Sequence, residues 1–60
     1  ELSEKELKVF NIIKNKQPIY LDLLMALADI DTGELYSILT ILELKGIIEE
    51  LPGKIIVTKI

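Results

Sequence analysis

The stretch LELKGIIEELPGKIIV, Leu42–Val57, decides the fold. Leu42 belongs to the last turn of an apolar helical pattern, and Gly46 stands after Lys45 where a left-handed residue closes a helix. Ile47 to Leu51 and Lys54 to Ile60 are rich in β-branched side chains, and they flank Pro52 and Gly53. That arrangement predicts two strands joined by a two-residue turn as an antiparallel hairpin.

Upstream, Leu35, Ile38, Leu39 and Leu42 follow the i, i+3, i+4, i+7 spacing of a helix with one buried face. Asp31, with Glu34 three positions on, is the capping signal that opens this third helix. A second helix is expected after Asp22 as cap, burying Leu24, Leu27 and Ala28 and ending near Asp29 and Ile30. Ile19 to Leu21 is long enough only for a short strand, which can pair with the hairpin. At the start, Ser3 and Glu6 form a capping box, and Val9, Phe10 and Ile13 share one helical face with Ile12 beside them. Leu7 is expected at the edge of that face. The first helix should run to about Lys16 and stop before Pro18, which disfavours helix for its predecessor.

The order is therefore helix, extended segment, helix, helix, strand, turn, strand. It predicts a mainly α fold with a small β-hairpin: a winged helix-turn-helix of three helices and a two- or three-stranded wing sheet. A three-helix bundle with a disordered tail would leave the Ile and Val of that tail in water.

Sixty residues, half of them hydrophobic and 28% charged, make one domain spanning 1–60. A chain of this size buries only about 60% of the surface it exposes when unfolded, so its stability depends on dense apolar packing. With neither Cys nor His, disulfides, thiolate zinc sites and the usual catalytic triads have no residues to use. Asp22, Asp31 and Glu34 are assigned to capping, and no glycine-rich phosphate loop occurs. Neither catalysis, a metal nor a cofactor is expected. No apolar run approaches the roughly 20 residues a membrane helix needs. The opening ELSEKE, without Met, reads as an internal boundary, so the chain is expected to be the C-terminal piece of a longer protein.

The formal net charge is −3, and all seven cations are Lys. Duplex DNA binding rests on phosphate neutralisation, and guanine reading leans on Arg. Both are undersupplied here.

The run LTILELKGIIEELPG, Leu39–Gly53, resembles the C-terminal winged-helix domain of the DNA-processing protein A family, also called Smf. In that family a T-x-L-E-L-K-G segment leads through a strand into L-P-G. LSEKE at Leu2–Glu6 and the P-x-x-x-D-x-L segment from Pro18 to Leu24 resemble earlier parts of the same domain. The resemblance implies a bacterial cytoplasmic protein that handles incoming single-stranded DNA in natural transformation and helps load a recombinase. It also implies that DNA binding and dimerisation belong to a Rossmann-like domain outside these 60 residues. The chain departs from the family pattern in its wing: Glu49 and Glu50 stand where relatives often have Arg and Gln, and Lys54, Ile55 and Ile56 where they have Gly-Arg-Tyr.

Two functional readings follow. The outward face of the third helix presents Tyr36, Ser37, Thr40, Ile41 and Leu44, accompanied by Glu43 and without a cation, and the second helix has Leu23 and Met25 beyond an ordinary buried stripe. Leu23, Met25, Tyr36, Ile41 and Leu44 are accordingly the expected protein-contact residues. The partner would be the parent protein's other domain, another copy, or a competence or recombination protein. The alternative is direct DNA binding by the third helix and wing, through Ser37 and Thr40 with Lys14, Lys16 and Lys54. Lys5, Lys8, Lys14 and Lys16, interleaved with Glu4 and Glu6, read first as solvating charges.

Overall fold

The computed structural model describes residues 1–60. In chain order the elements are α1 (Glu4–Lys16), β1 (Ile19–Tyr20), α2 (Leu21–Ala28), α3 (Thr32–Leu44), β2 (Ile48–Leu51) and β3 (Ile55–Thr58). The architecture is mainly helical with a three-stranded antiparallel sheet, as the sequence predicts for a winged helix.

The first helix begins with the expected capping box. Ser3 Oγ accepts from the Glu6 amide at 3.2 Å, and Glu6 Oε1 accepts from the Ser3 amide at 3.0 Å. Glu4 and Glu6 in the first turn and Lys14 and Lys16 in the last complement the helix dipole. Gln17, which precedes Pro18, is extended.

The second helix departs from expectation. It starts at Leu21 rather than after Asp22, its N-cap is Tyr20, and no side chain caps it. The reason lies in packing: Leu21, Leu24, Met25 and Ala28 are themselves an i, i+3, i+4, i+7 set. Leu21, Leu24 and Ala28 are buried and Met25 packs against them, which rotates Leu27 outward to 43% exposure. Asp22 is left in the first turn, where its charge still suits the dipole. The helix ends at Asp29 in the left-handed region, with φ 54°.

Asp31 caps α3 as expected, its Oδ2 accepting from the amides of Gly33 at 3.1 Å and Glu34 at 3.4 Å. Glu34 does not close a reciprocal box; its carboxylate meets Lys5 Nζ of α1 at 2.8 Å. At the other end, Gly46 has φ 74°. Its amide donates to the Glu43 carbonyl at 2.9 Å, and the Ile47 amide donates to Leu42 at 3.0 Å, the paired bonds of a Schellman motif.

Strand order in the sheet is β1-β3-β2. Ile19 faces Ile56 across β1 and β3, while Ile48 faces Thr58 and Leu51 faces Ile55 across β2 and β3. Between Leu51 and Ile55 the connection is Pro52, Gly53 and Lys54, one residue longer than the expected turn. Gly53, at φ 89°, suits the third position of a type II turn after Pro52, and Lys54 then adopts φ 60° to bring the strands into register. The Lys54 carbonyl accepts from the Leu21 amide at 2.9 Å, tying the wing to the start of α2.

All three helices and all three strands contribute to a single core of 12 buried residues, every one hydrophobic. Val9 and Ile13 enter it from α1, Ile19 from β1, Ile48 from β2 and Ile56 from β3, with the stripes of α2 and α3 between them. Phe10 and Ile12 pack on its margin. Leu7, expected at the core edge, is exposed. It lies roughly 200° around α1 from Val9, away from the residue at the centre of the buried face.

Candidate interaction surfaces

The α3 stripe of Leu35, Ile38, Leu39 and Leu42 is buried, which turns the opposite face to solvent. There Tyr36, Ser37, Thr40 and Ile41 line one open depression. Leu44 lies one turn beyond Ile41 and is 82% exposed. Tyr36 and Ile41 are also exposed, so the apolar row anticipated from spacing stands in water on the element that would enter a DNA groove. No ammonium group lines this depression.

The two hydroxyls within it differ. Thr40 Oγ1 donates to the Tyr36 carbonyl at 2.9 Å, so its proton is engaged by the helix backbone. Ser37 makes no hydrogen bond within the chain and keeps its donor free.

Of the remaining expected contact residues, Met25 is partly buried and packs against the core. Leu23 is exposed, but it shares an edge of α2 with Leu27 one turn away. Leu27 does not join the α3 depression. It lines a second one, of about 410 Å³, with Lys8, Asn11, Ile12, Asn15 and Lys16 of α1. The sequence reading missed Leu27 as a surface residue. The signal that reveals it is the Leu21, Leu24, Met25 and Ala28 set, which a cap at Asp22 obscures.

The lysines are dispersed. Lys5 pairs with Glu34, and Lys45 lies 3.8 Å from Glu6 while donating to the Glu1 carbonyl at 3.1 Å. Lys8 and Lys16 border the α1–α2 depression, Lys54 lies in the wing loop, and Lys14 lies on exposed α1 surface. Of the lysines in the DNA alternative, Lys16 borders the α1–α2 depression, while Lys14 and Lys54 line neither depression. Glu49 and Glu50 are both exposed on β2 and make no ion pair.

The fold agrees with a family match. The model of the DprA winged helix domain matches residues 1–54 of the chain. The chain belongs to the DprA winged-helix domain family. Residues 1–54 contain all of α1, α2, α3 and β2 and extend through the wing loop, leaving only β3 and the last two residues outside the match. A DprA winged-helix domain is consistent with DNA processing, and the winged helix is a non-catalytic fold. No curated protein and no solved structure matches the chain. No helix is long and apolar enough to cross a membrane.

Proposed function

We propose that this domain is an accessory protein-contact module of a cytoplasmic DNA-processing protein that acts in natural transformation, and that its contact surface is the outward face of α3. The parent protein handles single-stranded DNA and loads the recombinase, while this domain supplies a docking surface to a protein partner. The observation that carries the reading is the composition of the α3 face: Tyr36, Ile41 and Leu44 are exposed on it, no cation lines the depression that Tyr36 and Ile41 share, and Lys45 at the helix end is turned to Glu6 and Glu1. Contiguous exposed apolar surface favours a protein partner, and a domain of net charge −3 repels a polyanion. Leu23 belongs to this reading only if the partner also reaches the far edge of α2.

Direct DNA binding through Ser37, Thr40, Lys14, Lys16 and Lys54 makes the opposite forecast. Phosphate contacts weaken with salt by a log-log slope of about −0.9 per neutralised phosphate on duplex DNA, whereas an apolar interface is nearly independent of salt. The test is titration of the chain with labelled single- and double-stranded DNA at low and moderate salt. No saturable binding in the micromolar range is expected. Micromolar, salt-sensitive binding abolished by Lys14→Glu or Lys54→Glu would overturn the reading. Sedimentation of wild type against Leu44→Glu asks whether the partner is another copy; a dimer lost on substitution answers yes.

A further inference from the structure

We propose that the depression between α1 and α2 is a separate docking groove for an extended acidic peptide, in which two carboxylates flank one apolar side chain at alternate positions. This proposal does not depend on the reading of α3. The groove has an apolar floor of Ile12 and Leu27, bordered by Lys8, Asn11, Asn15 and Lys16. No acidic residue lines it. Neither Lys8 nor Lys16 has an ion-pair partner, unlike Lys5 and Lys45, and neither Asn amide makes a hydrogen bond within the chain. The groove is thus locally positive on a negative domain, and its polar groups are not engaged by the fold.

Spacing identifies the occupant. Lys8 and Lys16 are eight residues apart on one helix, roughly 12 Å along its axis, with Ile12 midway. In an extended chain, side chains at i, i+2 and i+4 point the same way and span about 13 Å. A Glu-x-Leu-x-Glu segment laid along α1 therefore sets its carboxylates over the two ammonium groups and its Leu between Ile12 and Leu27. Asn11 and Asn15 are separated by roughly 6 Å along the axis, close to the two-residue repeat of about 7 Å at which an extended backbone presents N–H and C=O groups to one side. A helical ligand reaches the same span only with carboxylates eight residues apart, and its backbone groups are already bonded within the helix, so Asn11 and Asn15 would stay unmet. Nucleic acid fits it less well, since single-stranded sites stack their bases on aromatic side chains and this floor has only Ile12 and Leu27.

The test is an NMR titration of the chain with the blocked peptide SESLSES. Controls are SQSLSQS, SESSSES, the compressed SSELESS, and oligothymidine. Saturable shifts are expected at Lys8, Asn11, Ile12, Asn15, Lys16 and Leu27 with SESLSES, and each control peptide should bind several-fold more weakly. The exposed double variant Lys8→Gln/Lys16→Gln should weaken binding roughly five- to tenfold, as the loss of two surface ion pairs implies. Ile41→Glu, on the α3 face, should leave it unchanged, which separates failure here from failure of the α3 reading. Absence of binding, shifts outside the groove, equal binding of the uncharged, anchorless or compressed peptide, or displacement by oligothymidine at equal concentration would each overturn the proposal.

Discussion

Lys54 and Gly46 both have positive φ, and they divide the work of backbone strain differently. A Cβ built at Gly46 meets nothing within 4 Å, so any cost of adding one there is conformational rather than steric. Gly46→Ala should therefore destabilise by about 1 kcal/mol in urea unfolding. A loss several times larger would mean that the helix end has been displaced, not merely strained. Lys54 already carries such a cost as a non-glycine residue at φ 60°. Lys54→Gly should leave stability unchanged or slightly raised, while Lys54→Val, with a β-branched carbon in the left-handed region, should lower it by about 1–2 kcal/mol. Because Lys54 is also a candidate phosphate contact, the Gly variant removes the charge without harming the wing. It is the cleaner substitution for a DNA titration.

Among the elements, the central strand β3 is held on both sides by different means. Along one side it pairs with β2 over four residue pairs. On the other it has only two pairs with β1, and beyond them Gln17 takes over, its Oε1 accepting from the Thr58 amide at 2.9 Å and from the Thr58 hydroxyl at 3.0 Å. Gln17→Ala should cost about 1 kcal/mol by leaving a half-buried strand amide unmet, and Gln17→Glu, which keeps the acceptor, should cost less. Thermal unfolding of the two variants side by side makes the comparison. Strand β2 is the longer of the two edge strands of the sheet and carries Glu49 and Glu50 exposed. Their absence of partners has a structural use: charge on an edge strand blocks pairing with another molecule. Glu49→Val/Glu50→Val should consequently raise light scattering at concentrations where the parent chain stays clear. The acidic wing is thus explained by edge protection whichever partner α3 meets.

At the scale of the whole molecule, a 60-residue domain is expected to have roughly 3–9 kcal/mol of stability to lose. Removing the fully buried Leu42 side chain by Leu42→Ala should take about 2–5 kcal/mol and leave a large unfolded fraction, visible in circular dichroism. Leu44→Ala, two residues along the same helix but 82% exposed, should be nearly silent in the same measurement. That contrast matters for function: Leu44 can be altered to probe a partner without unfolding the domain. The same separation holds for Lys8 and Lys16, which support a groove rather than the core.

Much of this protein is written locally. Ser3 with Glu6, Asp31 at the head of α3, Gly46 at its end and Pro52-Gly53 in the wing act on backbone groups within a few residues, so the elements and their order follow from sequence alone. The α3 stripe is equally legible, since Leu35, Ile38, Leu39 and Leu42 admit one buried face. What the chain could not state by itself is the rotation of α2 and the length of the wing turn. Both Leu24, Leu27, Ala28 and Leu21, Leu24, Met25, Ala28 are plausible apolar faces, and only packing against α1 and the sheet chooses between them, sending Leu27 outward and Met25 in. The same choice creates the groove with Lys8 and Lys16, because burial is a property of several elements meeting, whereas capping is a property of one.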